Sequence, residues 1–254
     1  MNTLLIARRA AILTITLNRV EKKNALIPSM YQGMAEALRQ AQADASIWAV
    51  VLQGHETVFS AGNDMADFLS RTSSSQDSPA MDFLRAISGF TKPLVAAVCG
   101  PAVGIGTTLL LHCDLVYAGD NAVFSMPFVN LGLCPEAASS YLAPLRMGYA
   151  RAAQALLLGE PFGAQAALAM GLVNHIAAPT DVAALAQRQA QTLAGKPLAA
   201  LIETKRLMRK SQSCAVAEHL QDEHASFQRL LQAPAAKEAC SAFLEKRKPD
   251  FSGL

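Results

Sequence analysis

The amino-acid sequence predicts an α/β fold in one large domain whose C-terminal third is helical. Short apolar runs rich in β-branched residues alternate with helical segments through the first two thirds of the chain. Two of these runs lead directly into small-residue turns and then into helices. With 254 residues, of which 52% are apolar, the chain is long enough to bury a substantial core. Such an apolar composition also favours burial of surface between subunits.

The first elements are predicted from periodicity and turn residues. Residues 4–7 and 12–17 read as an opening hairpin around Arg8, Arg9 and Ala10. Pro28 then opens a helix that runs to about Ala43, since proline suits the first helical turn. Residues 48–52 form a short apolar strand.

The middle of the chain contains 18 uncharged residues, 94–111, the nominal length of a membrane span. Pro101 and three glycines interrupt it, so we predict a buried strand, a glycine turn and the start of a buried helix. Further strands are expected at 92–98 and 115–117. Helices are expected at about 80–90, 106–113, 148–158 and 163–170.

From Asp181 to the end the pattern is helical, with breaks at residues 195–197 and at Pro234. We therefore divide the chain into a core, residues 1–195, and a C-terminal helical region, residues 196–254. Residues 71–79 are polar and lack periodicity, which predicts a mobile surface loop that borders a pocket.

Charge and cysteine content argue against several classes of protein. A net charge of +2 is too small to favour nucleic-acid binding. Three local basic clusters fit either a polyanionic small molecule or a solvated face: Lys22-Lys23, Lys205-Arg206 with Arg209-Lys210, and Lys246-Arg247-Lys248. The five scattered cysteines read as buried thiols rather than disulfides or metal ligands, which favours a reducing, cytoplasmic compartment. No secretory signal and no peroxisomal C-terminal address is expected.

Glu136 is the only charged residue between Asp120 and Arg146. A carboxylate in apolar surroundings is unfavourable unless it is solvated, paired or used chemically, because desolvation penalises its charged form. Glu136 is therefore a candidate acid or base. The alternative is an exposed position in a loop or in the first turn of a helix after Pro135.

Two glycine turns, residues 59–64 and 100–106, each follow a strand and precede a helix. Their backbone N–H groups are candidates to hold an anion or a developing oxyanion, although either turn alone is more often a plain chain reversal. The second turn lacks the glycine spacing of dinucleotide sites and the lysine of a phosphate-binding loop, and no nucleophile elbow occurs. His219 and His224, with Asp222 and Glu223 between them, read as a polar surface.

Five motifs occur together along the chain: Arg19-Val-Glu-Lys-Lys-Asn-Ala-Leu26, Phe59-Ser-Ala-Gly-Asn-Asp64, Gly100-Pro-Ala-Val-Gly-Ile-Gly106, Asp114-Leu-Val-Tyr-Ala118 and Ala167-Leu-Ala-Met-Gly-Leu-Val173. In order and spacing they resemble the crotonase (enoyl-CoA hydratase/isomerase) superfamily over essentially the whole chain. The peroxisomal-type Δ3,Δ2-enoyl-CoA isomerases are most similar. They carry Ser-Gly-Asn-Asp-Leu where this chain has Ala61-Gly-Asn-Asp-Met65, and Ser-Pro-Glu-Gly where it has Cys134-Pro-Glu-Ala137.

This resemblance implies a crotonase-like superhelix of repeated ββα units with a C-terminal helical trimerisation region. It implies a homotrimer or a dimer of trimers that acts on acyl-CoA in fatty-acid catabolism such as β-oxidation. No metal, no further cofactor, no nucleic acid and no membrane is implied as a partner.

By the same resemblance, Glu136 is the proton-transfer base, and the backbone N–H groups of Asn63 and Ile105 form the oxyanion hole. The substrate-binding residues would be Lys23, Ala25, Ala61, Gly62, Asp64, Met65, Gly104 and Gly106. Lys246 or Phe243 would reach CoA near the C-terminus. Five apolar residues are left unassigned between the acyl pocket and the ordinary core. They are Met65, Phe68, Met81, Leu84 and Phe128.

Typical hydratases of the family place two glutamates where this chain has Thr108 and Phe128. Adding water usually requires two carboxylates, whereas moving a double bond requires one base and an oxyanion hole. The chain is therefore predicted to be a Δ3,Δ2-enoyl-CoA isomerase. The alternatives are an enoyl-CoA hydratase, a catalytically inactive acyl-CoA-binding protein, and an RNA-binding protein that uses the cluster around Lys205.

Overall fold

A computed structural model describes residues 2–65, 78–245 and 247–254. Its main sheet has six strands in the order β1-β2-β3-β4-β6-β9. The first pair is antiparallel and the other pairs are parallel. The strands are β1 (Leu4–Arg9), β2 (Ile12–Leu17), β3 (Ala49–Gln53), β4 (Leu94–Val98), β6 (Leu115–Gly119) and β9 (His175–Ala177).

The opening hairpin and the central strands follow the predicted pattern. Ala10 has φ = 52°, and it makes the turn that pairs Arg9 with Ile12. All five residues of β4 are buried, as expected for a strand covered by other elements on both faces of a parallel sheet. Most of the uncharged segment 94–111 is buried inside the protein, although Pro101 is exposed. No helix among the described residues has the length and apolar character to cross a bilayer.

A second, smaller sheet contains β5 (Pro101–Val103), β7 (Val123–Ser125) and β8 (Phe162–Gly163). A single parallel bridge between Ser60 and Ala102 attaches the first glycine turn to this sheet. Successive units therefore place a long strand in the main sheet and a short strand or turn in the second sheet before the chain enters a helix. This arrangement brings the two glycine turns together.

The helices cover both faces of this framework. They are α1 (Pro28–Ala43), α2 (Pro79–Ser88), α3 (Ile105–Thr108), α4 (Ser139–Met147), α5 (Tyr149–Ala153), α6 (Ala164–Ala169), α7 (Pro179–Ala194), α8 (Leu198–Arg209), α9 (Ser213–Leu231) and α10 (Pro234–Leu244). Helix α7 packs across β3, β4 and β6 through its buried residues Val182, Ala186 and Ala190. Helix α9 contacts α4 and α10.

Several predicted helices have different bounds. The segment predicted at 106–113 is the short α3 followed by a 3-10 turn, Leu109–His112, and the segment predicted at 148–158 is α5 followed by a π-helix, Gln154–Leu158. Helix α4 was missed, since it contains Pro144. The C-terminal region is not helical throughout, because the chain also breaks between α8 and α9 and no helix follows Leu244 among the described residues.

The predictions for the loop at 71–79 and for the cysteines differ in part from the structure. Residues 71–77 of the expected loop, together with Phe68 and Lys246, lie outside the described residues. Ser78 and Pro79 are not loop residues: Ser78 is the N-cap of α2 and accepts a hydrogen bond from Met81 N, and Pro79 is the first helical residue. The cysteines are all free, but Cys214 is exposed and Cys134 only half-buried, so the prediction of uniformly buried thiols was wrong.

Candidate active site

The two glycine turns lie side by side and are joined by backbone hydrogen bonds. Ser60 N donates to Pro101 O at 3.0 Å, and Val103 N donates to Ser60 O at 2.9 Å. Gly62 has φ = +87°, and a Cβ atom there would lie 2.9 Å from Val103 O. At Gly106 a Cβ atom would lie 3.0 Å from Ser60 O. Both positions therefore require glycine for the turns to approach each other.

Residues of both turns line a cavity of about 290 Å³, which we call the turn cavity. Its lining includes Ala61, Gly62, Asn63 and Met65 from the first turn and Val103, Gly104 and Ile105 from the second. Among the described residues, neither Asn63 N nor Ile105 N donates to a backbone carbonyl. The two N–H groups predicted to form an oxyanion hole thus lie at one cavity and have no backbone acceptor there.

Glu136 lines a neighbouring space of about 70 Å³, the glutamate cavity, together with Asn63, Met81, Leu84, Leu220, Glu223, His224 and Phe227, among others. Asn63 and Phe227 line both cavities, so the Glu136 side of the site adjoins the turn cavity. The Glu136 residue as a whole retains some exposed surface. Its Oε1 atom, however, is sealed from solvent and has no hydrogen-bond partner among the described residues.

Desolvation raises the pKa of Glu136 from 4.5 to about 8, and the nearby charge of Glu223 adds to the rise. A carboxyl group with such a pKa exchanges protons readily near neutral pH. The alternative that Glu136 is an exposed loop carboxylate is therefore wrong for its Oε1 atom, which faces the interior.

The chain directly after Glu136 is strained. Ala137 and Ala138 have φ = 63° and 53°, which is left-handed backbone that residues other than glycine rarely adopt. The buried His112 holds this turn through a 2.8 Å hydrogen bond between its Nε2 and Ala137 O. Burial lowers the pKa of His112 to about 4, so the ring is neutral and Nε2 carries the proton it donates. His112 thus supports the Glu136 loop.

Glu223 provides a second support and contradicts the prediction of a polar surface at residues 219–224. Its side chain is buried, with 7% of the residue exposed. Oε2 accepts from Ala138 N at 2.6 Å, and Oε1 accepts from Ser140 N at 2.8 Å and from the Ser140 hydroxyl. Sequence reasoning missed this residue, although Leu220 and Phe227, three residues before and four after, mark the same apolar face of α9.

The predicted CoA-binding segment lies beside the first glycine turn. Lys23 O accepts from Ala61 N at 2.9 Å, which fixes the distance between the two segments. Asp64 forms a 2.6 Å ion pair with Arg19, whose guanidinium also donates to Ala25 O. The Lys23 side chain is exposed. Lys23, Ala25, Asp64 and Gly106 line neither cavity, whereas Ala61, Gly62, Met65 and Gly104 line the turn cavity.

The described members of the unassigned apolar set, and Phe243, which was expected to reach CoA, divide between the two cavities. Met65, Phe128 and Phe243 line the turn cavity, and Met81 and Leu84 line the glutamate cavity. Thr108 is buried and its hydroxyl has no hydrogen-bond partner among the described residues. Neither Thr108 nor Phe128 offers a carboxylate to the site.

The sequence profile of the enoyl-CoA hydratase/isomerase family matches residues 7–253. The chain belongs to this family. It is 38% identical over 215 residues to "Enoyl-CoA delta isomerase 2" of Rattus norvegicus, a match that covers 82% of this chain but only 55% of the rat protein. It is 34% identical to "2,3-dehydroadipyl-CoA hydratase" of Escherichia coli K12, over the full length of both chains. The family's members thus include isomerases and hydratases at similar identity.

Solved structures that are similar to this chain agree with the fold. An enoyl-CoA hydratase/isomerase from Pseudoalteromonas atlantica T6c superimposes with a TM-score of 0.95 at 38% identity, covering 99% of this chain and 100% of that chain. OdaA of Pseudomonas aeruginosa gives a TM-score of 0.93 at 44% identity, covering 96% and 99%. The predicted crotonase-like α/β fold with C-terminal helices is therefore confirmed.

The basic cluster around Lys205 is divided: Arg206 and Lys210 are exposed, as in the solvated face that was considered, whereas Lys205 is buried. Lys205 Nζ is buried and donates to Asp114 Oδ2 at 2.7 Å and to Lys92 O at 2.8 Å. Arg209 donates to His112 O and to Asp114. These contacts anchor α8 to the end of the main sheet. Among the described residues, no group of three or more His, Cys, Asp or Glu side chains is arranged to hold a metal ion.

Proposed function

We propose that this member of the family is a Δ3,Δ2-enoyl-CoA isomerase, in which Glu136 moves a proton between C2 and C4 of a 3-enoyl-CoA. The observation that carries the proposal is the Glu136 carboxyl itself. It is desolvated, its Oε1 atom is unpaired among the described residues, and it lies beside a cavity lined by both glycine turns.

In the proposed reaction the Glu136 carboxylate removes a proton from C2, and the electron pair of that C–H bond moves into the thioester to form a dienolate. The N–H groups of Asn63 and Ile105 stabilise the negative oxygen. The resulting Glu136 carboxylic acid then returns the proton to C4, which gives the conjugated 2-enoyl thioester. Atoms and electrons balance without water, metal or a redox partner.

The site favours this one-base reaction over hydration. Glu223 is a second carboxylate in the glutamate cavity, which the sequence did not reveal. Both of its oxygens are, however, occupied by N–H and O–H donors from Ala138 and Ser140. It is therefore committed to Ala138 and Ser140, whereas Glu136 has an oxygen, Oε1, without a hydrogen-bond donor among the described residues.

Hydratase activity is the second candidate, because the hydratase of E. coli is similar over its whole length and because two carboxylates do share the cavity. If Glu223 released its donors on substrate binding, the pair would have the number of acids that hydration uses. An inactive acyl-CoA-binding protein is the third candidate. An unpaired, desolvated carboxyl argues against it, since burying such a group is unfavourable without a use.

We extend the proposal to the substrate and the assembly. The acyl-CoA thioester would bind with its carbonyl oxygen at Asn63 and Ile105 and its pantetheine arm along residues 61–65. Lys23, Ala25, Gly104 and Gly106 would complete the CoA-binding segments. Residues 196–254 would mediate a homotrimer or a dimer of trimers, and the enzyme would act in acyl-CoA catabolism in the cytoplasm.

The test compares isomerisation of a 3-enoyl-CoA with hydration of a 2-enoyl-CoA for the wild type, Glu136→Gln and Glu160→Gln. Glu160 is an exposed glutamate and serves as the matched control. The absorbance of the conjugated thioester reports both reactions, and mass spectrometry separates the isomer from the hydrated product.

We expect wild-type isomerisation to exceed hydration, and Glu136→Gln to lower isomerisation by about a thousandfold, the scale of losing an essential proton-transfer group. Glu160→Gln should match the wild type. If hydration dominates in the wild type, the isomerase proposal is wrong and the hydratase candidate is favoured. Tight acyl-CoA binding without turnover of either substrate would favour the inactive binder.

A further inference from the structure

The turn that carries Glu136 is held from a distant part of the chain. Glu223 lies 85 residues after Ala138, yet its Oε2 accepts the Ala138 N–H at 2.6 Å. Its Oε1 accepts two donors of Ser140, the first of which is the backbone N–H at 2.8 Å. These amides belong to the N-terminal end of α4, where backbone N–H groups have no acceptor within the helix.

The contact stabilises an unfavourable backbone conformation. Two successive alanines in the left-handed region are unfavourable, because the Cβ atom of each crowds the backbone. The hydrogen bond of His112 to Ala137 O and those of Glu223 to Ala138 and Ser140 hold that conformation on both sides. Without the anchor from α9, the turn is expected to relax and the Glu136 carboxyl to leave its place in the glutamate cavity.

Charge gives Glu223 a second effect on the same group. Its carboxylate accepts three hydrogen bonds and lies within electrostatic reach of Glu136, whose Oε1 accepts none among the described residues. Burial raises the pKa of Glu223 as well, but the hydrogen bonds from Ser140 and Ala138 oppose that rise. The ionised form is thus better stabilised on Glu223 than on Glu136, and a negative Glu223 disfavours ionisation of Glu136. The other titratable or charged side chains nearby include His224 in the same cavity, His219 and Arg229 on α9, the neutral His112 under the turn, and Cys134, whose thiol donates to Glu223 O.

We propose that Glu223 is a positioning residue, which holds the strained turn after Glu136 in place and, through its negative charge, makes Glu136 a stronger base. Glu223 does not act on the substrate itself, because its oxygens are used by Ala138 and Ser140. The proposal rests on the role of Glu136 in the proposed function, but the effect of Glu223 on the ionisation of Glu136 is measurable without turnover.

The test uses Glu223→Gln, which removes the charge but keeps nearly the same shape, and Glu223→Asp, which keeps the charge but shortens the reach. Glu218→Gln is the matched control, since Glu218 is exposed on the same helix. Infrared difference titration of the full-length protein follows the carboxyl band of Glu136, assigned as the band that Glu136→Gln removes. Isomerisation of a 3-enoyl-CoA is measured over the same pH range.

In Glu223→Gln we expect the titration midpoint of Glu136 to fall by about one pH unit, because a neighbouring like charge is lost. The acidic limb of kcat/KM should move by the same amount. In Glu223→Asp the midpoint should stay near that of the wild type while kcat falls about tenfold or more, since the turn is no longer held. Glu218→Gln should change neither quantity.

A wild-type midpoint in folded Glu223→Gln would overturn the charge effect, and wild-type kcat in Glu223→Asp would overturn the positioning effect. If Glu223→Gln does not fold, Glu223→Asp decides the positioning claim by its kcat. A wild type without isomerase activity would refute the proposed function. The infrared titration requires no turnover, so the midpoint of Glu136 would still test the charge effect of Glu223.

Discussion

The hydroxyl of Tyr31 donates a 2.6 Å hydrogen bond to the side-chain oxygen Oδ1 of Asn63. Tyr31 is buried in α1, and its ring packs at a tilt of 52° against Phe83 of α2. The bond therefore ties a rigid part of the helical layer to the residue that lines both cavities. Because Asn63 also supplies a predicted oxyanion-hole N–H, Tyr31 fixes the segment that would contact the thioester.

Removing this hydroxyl in Tyr31→Phe should lower kcat/KM for isomerisation about fivefold and the free energy of unfolding by about 1 kcal/mol, the net value of a typical hydrogen bond. Steady-state kinetics and urea denaturation measure the two effects. Tyr149→Phe, at a residue that is 76% exposed, is the control and should behave like the wild type. Unchanged kinetics in Tyr31→Phe would mean that the Asn63 side chain needs no such anchor.

The raised pKa of Glu136 predicts a pH dependence of activity. A base acts only when ionised, so kcat/KM should rise about tenfold per pH unit below a midpoint near the Glu136 pKa of about 8, and level off above it. Initial rates at low substrate concentration, taken across this range in one mixed buffer, give the profile. A flat profile from about pH 6 upward would show that the base has an ordinary carboxyl pKa.

The same group predicts a pH dependence of stability. The pKa of Glu136 is about 8 in the folded protein and the ordinary 4.5 in the unfolded chain, so the folded protein binds the proton more tightly. This tighter binding stabilises the fold fully below pH 4.5, and the contribution is lost as the pH rises toward 8. Glu136→Gln, which cannot ionise, should therefore become more stable than the wild type with rising pH. The upper bound of this change in the free energy of unfolding, relative to the wild type, is roughly 5 kcal/mol, at about 1.4 kcal/mol for each pH unit of pKa shift. Urea denaturation at several pH values measures the difference, which Glu218→Gln should not show.

The packing of the two glycine turns predicts the result of adding one methyl group. In Gly62→Ala the residue keeps a left-handed φ of +87° and its Cβ would lie 2.9 Å from Val103 O, so the free energy of unfolding should fall by about 2 kcal/mol or more. Isomerisation should fall with it, because the Asn63 N–H moves. Gly163→Ala is the control, since a Cβ atom there has no neighbour within 4 Å among the described residues. Equal stability of the two variants would contradict the close approach of the turns.

Local sequence determined the elements whose patterns depend only on near neighbours. The bounds of the hairpin, α1 and the central strands were predicted to within two residues, because alternation, helical spacing and Pro28 act within a few residues along the chain. Short strands such as β5 and β8 were missed, since two or three residues carry no periodicity. Helix α4 was missed because Pro144 is locally unfavourable, and packing against α9 compensates for it.

The sequence by itself determined the family resemblance, the two glycine turns and Glu136 as the charged residue of an apolar stretch. Only the tertiary structure decided that Glu136 is desolvated, that both turns line one cavity, and that His112 and Glu223 hold the strained turn. The physical reason is that desolvation and capping of backbone amides depend on which distant segments pack together. A charged residue such as Glu223 looks solvent-facing until α9 is placed against the N-terminal end of α4.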